Sequence, residues 1–347
     1  MAQASQPVNT IRSFAATGGA APAARAVGGG IAARDGGDAT HDPRRWSNVH
    51  APDAMRTRAA AAQIGAPTGR YRALRIFLRN PAGIAAFLFL VAVAALSLAA
   101  PWLYPEDPLS MVARPFLWPG QNPAFPLGTD SLGRDVAAGL VWGGRVSLLV
   151  GFTAMALGVT IGLTVGATAG YFGGRVDDAL LRLVEIFQTL PSFIFLVVLV
   201  AIAQPSVGTV TLAIAAVTWP TVARLVRAEF RSLREKDYVM AARGLGYGPA
   251  RIIVREILPN ALPPIIVTSS VLVASAILME SALSFLGLGD PNLVSWGSMI
   301  GSGRELLRTA WYLTAIPGLA IVLTVLALNL IGDALNDALN PRFAPGS

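Results

Sequence analysis

The sequence predicts an all-α membrane protein with six transmembrane helices and one structured loop on the cytoplasmic side. Three observations support this fold class: an apolar composition, six apolar segments that approach the length of a membrane span, and basic residues that concentrate on one side of those segments. Of the 347 residues, 54% are hydrophobic and only 14% are charged, whereas a soluble domain carries about a quarter charged residues. The chain is therefore expected to reside in a membrane.

The six apolar segments are judged against the roughly 20 residues that a helix needs to cross a bilayer. The third and fourth are short and are joined by Gln204-Pro205-Ser206. The transmembrane domain is expected to cover residues 71–345 and to begin with a basic amphipathic segment at 71–79. The predicted spans are 82–103, 146–172, 190–203, 207–223, 264–286 and 311–331.

Basic residues predict the orientation, because they accumulate in cytoplasmic loops. Residues 1–70 are rich in Ala, Gly and Arg and are expected to form a disordered cytoplasmic tail. With both termini inside, 22 of the 27 Lys and Arg residues fall on the cytoplasmic side. This bias also explains the net charge of +7 without a nucleic-acid partner.

The composition excludes several kinds of chemistry. The chain has no cysteine, and its two histidines, His41 and His50, lie in the tail. Disulfides, Cys-ligated metals and a membrane-embedded Ser-His-Asp triad are therefore ruled out. The one lysine, Lys236, is followed by Asp237, so the Gly-Lys-Ser/Thr sequence of a P-loop is absent. We expect no enzymatic activity and no cofactor bound by this chain.

Two features of the spans are singled out. Four glycines in the second span recur at every fourth residue and predict one side on which another helix can approach closely. Glu280 lies in the fifth span, where an ionisable group is costly and is a candidate for function. Glu280 is interpreted either as a gate or as a structural group bonded to a neighbouring helix or loop amide. The four glycines are Gly158, Gly162, Gly166 and Gly170.

The loop between the fourth and fifth spans, residues 232–263, carries many charges yet keeps helical spacing. Asp237 is a suitable N-cap for a short helix that ends at Gly244 and Gly246. A second helix is predicted to begin at Pro249 and to end before Pro259. The sequence thus predicts two short helices with a glycine hinge and small residues at the tip.

This loop resembles the EAA signature of binding-protein-dependent ABC importer permeases. Its positions Ala241, Ala242, Gly246, Leu258 and Pro259 match the signature in register. Two positions depart from it, since Met240 stands where the signature has Glu and Glu256 where it has Ile.

The resemblance covers residues 75–345 and is closest to the second permease of dipeptide, oligopeptide and nickel systems. Supporting motifs are LGTDSLGRD (127–135), GYFGGRVDD (170–178), ESALSFLGLG (280–289), Trp296-Gly297 and LNLIGDALNDALNPR (328–342).

The resemblance implies a type I ABC importer permease fold in a bacterial inner membrane. It also implies that the chain forms half of a pathway for peptides or similar small solutes. The implied partners are a second permease, two ATPases that bind ATP, an extracytoplasmic binding protein and membrane lipid. The implied ATPase-coupling residues are Asp237, Tyr238, Ala241, Ala242, Arg243, Gly246, Leu258 and Pro259.

Two other classes of protein are weighed against this reading. An ion-coupled secondary transporter usually carries buried charges in several spans, whereas Glu280 is nearly alone here. An intramembrane aspartyl protease carries a Gly-x-Gly-Asp motif, which residues 287–290 fit, but it needs a second aspartate that no predicted span supplies. The transported solute stays open, because dipeptides, longer peptides and nickel chelates are all handled by similar permeases.

Overall fold

The computed structural model describes residues 70–339. Residues 1–69 of the predicted tail and the final eight residues, 340–347, lie outside this range. The described part begins with the short helix α1 (Arg70–Phe77). The apolar helix α2 (Pro81–Leu98) follows, and its first turn is capped by Asn80, whose side chain accepts a hydrogen bond from Gly83 N. Helix α3 (Ala100–Leu103) adds one further turn.

The central helix is α4 (Val136–Phe172), which is 37 residues long. It begins ten residues before the apolar segment predicted there, because the carboxylate of Asp135 caps it at Ala137 N. Helices α5 (Gly174–Gln188) and α6 (Ser192–Ala203) follow and are bent by 79° at their junction. Helix α7 (Val207–Leu233) then continues ten residues beyond the predicted fourth segment.

The helix α8 (Asp237–Gly244) forms the tip of the loop. Helix α9 (Pro249–Phe285) is one long element that contains a π-helical segment, Ile252–Ile257. The prediction that the second loop helix ends before Pro259 is therefore wrong, because that helix continues directly into the fifth span. The described part ends with α10 (Trp296–Gly303), a 3₁₀ turn at Arg304–Leu306, and α11 (Tyr312–Leu339).

Five of these helices, α2, α4, α7, α9 and α11, are long and apolar enough to cross a membrane. The bent pair α5–α6 makes a sixth span if it is counted as one. Within the described range the chain contains no β-strand beyond two isolated bridges. The architecture is thus the predicted all-α membrane fold, with five or six candidate spans; the predicted third span, 190–203, corresponds to the 12-residue helix α6, which reaches the length of a span only together with α5.

The contact between α4 and α7 is built on the four glycines of α4, all of which are buried. A methyl group added at Gly162 would lie 2.5 Å from Val222 Cβ, and one added at Gly170 would lie 2.7 Å from Phe230 Cβ. Gly158 and Gly166 meet α7 in the same way. The missing side chains let the two helix backbones approach each other closely.

The helices have two ends that carry different structures. The start of α4 lies against α10, since Gly143 faces Ser295 and Trp296. The end of α4 lies near α8, where the guanidinium of Arg243 is 5.4 Å from the ring centroid of Tyr171. These are called the α10 end and the α8 end below.

Candidate functional site

Helix α8 is a short helix of eight residues, or about two turns, at the tip of the loop. Lys236 occupies its N-cap position without a side-chain hydrogen bond, so Asp237 is the first helical residue rather than the predicted cap. There the Asp237 carboxylate still complements the positive end of the helix dipole. Gly246, with φ of +79°, follows the helix end, and Tyr247 N donates to Ala242 O over 3.1 Å. This geometry is a glycine C-cap of the Schellman type.

The two faces of α8 have opposite environments. Val239 and Ala242 are 0% and 5% exposed and pack with residues of α7 and α9 such as Phe230 and Ile257. Ala242 was expected to contact a partner, but the structure places its side chain inside this chain's own core. The solvent-facing residues are Asp237, Tyr238, Met240, Ala241, Arg243, Gly244, Leu245 and Gly246.

The exposed face is more apolar than a solvent-facing helix requires. Leu245 is 72% exposed and Met240 is 53% exposed, and both stand at the tip beside Ala241. Met240 therefore adds apolar surface at the position where the EAA signature has a glutamate. Exposed apolar residues that cluster on a short, rigid element are typical of a protein interaction surface.

Arginine side chains tie the loop to the ends of neighbouring helices. Arg234 Nη1 lies 3.3 Å from the carbonyl oxygens of Gly170 and Tyr171, which are at the C-terminal end of α4. Arg243 stands over the Tyr171 ring, and Arg251 stands 3.8 Å from the ring centroid of Tyr247. These contacts connect the loop to the end of α4, in addition to its packing against α7 and α9.

A partly buried ion pair joins α5 to α7 at the same end. Arg227 Nε lies 2.5 Å from Asp177 Oδ1, and its Nη2 lies 2.7 Å from Asp177 Oδ2. This two-point geometry orients both side chains. Sequence reasoning missed the pair because the two residues are 50 positions apart, although Asp177 belongs to one of the motifs quoted above.

The last two predicted coupling residues lie at the base of the loop, within α9. Leu258 is half-buried and Pro259 is exposed. The preceding residue, Ile257, is 0% exposed and fills the core beneath α8, whereas Glu256 is half-buried. Leu258 N bonds to Ile253 O, five residues earlier, which makes the wide turn of a π-helix directly before the proline.

Glu280 lies far from α8, near the α10 end, and is 2% exposed. Its Oε2 accepts a hydrogen bond from Ser147 Oγ of α4 over 2.8 Å, and its Oε1 accepts one from Ser284 Oγ over 2.7 Å. Ser147 Oγ in turn accepts from Trp296 N of α10 over 3.4 Å. The carboxyl group thus links α9 to α4 and, through Ser147, to α10, and each of its oxygens accepts a hydrogen bond.

Neither of these regions has the composition of a metal site. No group of three or more His, Cys, Asp or Glu side chains comes together within residues 70–339. This part of the chain presents an exposed apolar tip, arginine contacts to helix ends and a buried carboxyl group that joins helices.

Two family profiles match the chain. Residues 158–345 match the family described as binding-protein-dependent transport system inner membrane component. Residues 70–123 match the N-terminal TM domain of oligopeptide transport permease C.

Several curated proteins are similar over most of their length. The dipeptide transport system permease protein DppC of Haemophilus influenzae is 37% identical over 272 residues, which cover 77% of this chain and 92% of that protein. The DppC protein of Escherichia coli K12 is 41% identical, with 77% and 91% covered. The di/tripeptide transport system permease protein DppC of Pseudomonas aeruginosa is 39% identical, with 77% and 90% covered.

Among solved structures, inward facing conformations of the MetNI methionine ABC transporter match with a TM-score of 0.49 and 20% identity, over 58% of this chain and 96% of the matched chain. The family assignment depends on the sequence matches instead. Because one profile covers more than half of the chain and the curated relatives align over at least 90% of their own length, the chain belongs to the family of binding-protein-dependent transport system inner membrane components.

Proposed function

We propose that this chain forms half of the translocation pathway of an ATP-driven importer of small peptides. A second permease of the same family forms the other half, and two ATPase subunits bind ATP and dock on the α8 loop. An extracytoplasmic binding protein delivers the peptide. The names of the curated relatives, all peptide permeases, support peptides as the transported class.

The observation that carries this proposal is the form of α8. It is a capped helix with an exposed apolar tip, held from below by residues of α7 and α9 and from the side by the end of α4. A loop that only connected two spans would not need a buried face and an exposed apolar face on the same short helix. This chain has no P-loop sequence, so energy from ATP has to enter through contact with another chain.

The proposed location is the bacterial inner membrane, with the α8 end and both termini in the cytoplasm. The α8 end carries Arg175, Arg182 and the basic residues of 224–255, which favours the cytoplasmic side. This orientation puts the α8 tip within reach of cytoplasmic ATPases. It also turns the α10 end toward the compartment from which a binding protein would deliver solute.

We assign Glu280 to the structure of the permease rather than to a gate. A gating carboxylate needs an arrangement that can change, and both oxygens of Glu280 are held by hydroxyl donors. Its contacts fix the α10 end of α4 and α9 as one unit. The α8 loop is then free to move the other end of the same helices when the ATPases close.

The Gly246→Glu variant tests the coupling role. Gly246 has open space around it, so the glutamate meets no clash apart from the backbone strain of its φ of +79°, and its long charged side chain projects from the tip where an ATPase would dock. We expect ATP-dependent dipeptide uptake to fall to background in vesicles that contain all the subunits, while the amount of inserted permease is unchanged.

The matched control is Gly174→Glu. Gly174 also has a positive φ, of +53°, and open space around it, but it lies at the start of α5. Both variants therefore add the same charge at a position of positive φ with open space around it. Equal uptake by the two variants would contradict a docking role for the α8 tip, and uptake that persists without ATP would favour an ion-coupled transporter.

A further inference from the structure

A cavity of about 340 Å³ opens at the α10 end, where the start of α4 meets residues 108–135, the loop at 287–294 and α10. Its size lies within the range of small-molecule binding sites. Apolar side chains such as Val136, Leu293 and Met299 form much of its wall. Four charged side chains also line it, namely Asp130, Arg134, Asp135 and Asp290.

The three carboxylates of this cavity each hold backbone N–H groups. Asp130 Oδ1 accepts from Leu132 N and from Arg134 N, both over 2.8 Å. Asp290 accepts from Asn292 N over 3.0 Å and from Val207 N over 3.3 Å, so it also holds the start of α7. Asp135 caps α4, and burial raises the pKa of its carboxyl group. Hydrogen bonds to the backbone hold all three side chains in place. Asp130 and Asp135 each accept these hydrogen bonds through Oδ1, so Oδ2 can accept from another donor.

Arg134 is the exception among the charged groups of the cavity. Its Nε is shielded from solvent, and no acceptor lies within hydrogen-bonding distance of it in the part of the chain that the structure describes. Among the described residues, no carboxylate comes within the 4.0 Å of an ion pair with its guanidinium. A buried donor left without a partner costs about 1–3 kcal/mol. The Arg134 guanidinium, which lines the cavity without an ion-pair partner among the described residues, is available to an anionic group that enters it.

The mixture of charges narrows the class of ligand. A simple anion would meet Arg134 but would be repelled by three carboxylates, and a simple cation would leave Arg134 without a partner. A small molecule with one carboxylate and one ammonium group satisfies both. The cavity is also remote from α8, because the 37 residues of α4 span about 55 Å at 1.5 Å per residue.

We propose that this cavity binds a small zwitterionic peptide, with the peptide carboxylate on the Arg134 guanidinium and the peptide ammonium group near Asp130 and Asp135. This inference deepens the proposed function and depends on it, since it gives the permease a peptide site of its own at the end opposite α8. Arg134 would select a free C-terminus there, because an amidated peptide offers only a neutral carbonyl oxygen to the guanidinium.

The test measures binding of three probes to the purified permease complex without its binding protein. The probes are Ala-Ala, N-acetyl-Ala-Ala, which lacks the ammonium group, and Ala-Ala amide, which lacks the carboxylate. Titration calorimetry or ligand-observed NMR gives their relative affinities. We expect Ala-Ala to bind at least about tenfold more tightly than either blocked peptide, as charge-assisted hydrogen bonds require.

The decisive variant is Arg134→Gln, with Arg114→Gln as its control. Arg114 lies in the same segment and is exposed, and it does not line the cavity. We expect Arg134→Gln to weaken Ala-Ala binding about tenfold and to remove its preference over Ala-Ala amide. Arg134→Lys should restore part of that preference, and Arg114→Gln should bind like the unmodified protein.

Three results would overturn the proposal. The first is that Ala-Ala does not bind, which would mean that the cavity is not a peptide site. The second is that Arg134→Gln weakens all three probes equally, which would indicate a general structural role. The third is that Arg134→Gln leaves Ala-Ala binding intact and reduces only the ATP hydrolysis stimulated by the binding protein, which would make Arg134 a contact to that protein.

Measurements of peptide uptake distinguish a failure of this inference from a failure of the proposed function on which it rests. If the complete transporter takes up Ala-Ala with ATP but the cavity does not bind it, only the inference fails. If the complete transporter takes up no peptide, the proposed function itself fails.

Discussion

Glu280 is the ionisable residue of the fifth span, and hydrogen bonds from neighbouring side chains stabilise its carboxyl group there. A charged group at the centre of a membrane helix costs about 3 kcal/mol. The hydroxyl groups of Ser147 and Ser284 offset this cost, since both donate to the carboxyl oxygens within 2.8 Å. The sequence identifies Glu280 as unusual, but its partner Ser147 is 133 residues away and becomes visible only in the fold.

Substitutions of Glu280 test whether its hydrogen bonds hold α9 and α4 together. We expect Glu280→Leu to lower the free energy of unfolding in detergent by about 1–3 kcal/mol, because the hydroxyls of Ser147 and Ser284 lose their acceptor. Glu280→Gln should cost less, since the amide keeps one acceptor oxygen. Thermal unfolding of the purified variants gives both values.

A double-mutant cycle with Ser147→Ala checks that the effect comes from this contact. The loss in Glu280→Leu/Ser147→Ala should be smaller than the sum of the single losses, because both substitutions remove the same hydrogen bond. Strict additivity would contradict this role of Glu280, as would an unchanged stability of Glu280→Leu accompanied by altered uptake.

At the scale of elements, the pairing of α4 with α7 is the contact that the four glycines allow. A methyl group at Gly162 would lie 2.5 Å from Val222 Cβ and 2.8 Å from Trp219 O, and a backbone oxygen cannot rotate away. The regular four-residue spacing is visible in the sequence. The sequence does not show which helix packs against these glycines, because the spacing describes only one side of the contact.

Gly162→Ala should therefore destabilise the protein. Overpacking of a close contact costs about 1–3 kcal/mol, so we expect a lower unfolding temperature in detergent. The control is Gly318→Ala in α11, where an added methyl group meets nothing within 4 Å and the backbone is helical. Equal unfolding temperatures for the two variants would contradict this prediction. They would show that α4 and α7 can move apart to accommodate the methyl group without a loss of stability.

Helix α9 shows why the prediction that the second loop helix ends before Pro259 is wrong. A proline removes a backbone donor and its ring clashes with the carbonyl four residues earlier, so a helix is expected to stop before it. The π-helical segment Ile252–Ile257 widens the turn directly before Pro259, and the helix continues. The sequence shows the proline, but the widened turn depends on packing of Ile252 and Ile257 into the core.

At the scale of the whole molecule, much of the fold follows from hydrophobicity alone. Apolar length locates the spans, because a bilayer core of about 30 Å requires it. It does not locate helix ends outside that core, so α4 and α7 extend well past their apolar segments. The cavity at the α10 end was also unpredictable, because Arg134 and Asp290 are brought together only by tertiary packing.

The orientation of the molecule gives the last prediction. Helix α4 is about 55 Å long, which exceeds the bilayer core, so its two ends must lie in water on opposite sides of the membrane. The chain has no cysteine, so a single introduced thiol reports its own position. Ala124→Cys and Ser232→Cys place thiols at exposed positions at the α10 end and the α8 end.

We expect a membrane-impermeant maleimide to label Ala124→Cys in intact cells and Ser232→Cys only after the inner membrane is permeabilised. The unmodified protein, without thiols, is the control for background labelling. The reverse pattern would place α8 outside, where no ATP-driven subunit could reach it. Labelling of both thiols in intact cells would show that α4 does not cross the membrane, which would contradict the six-span fold together with the coupling role of α8.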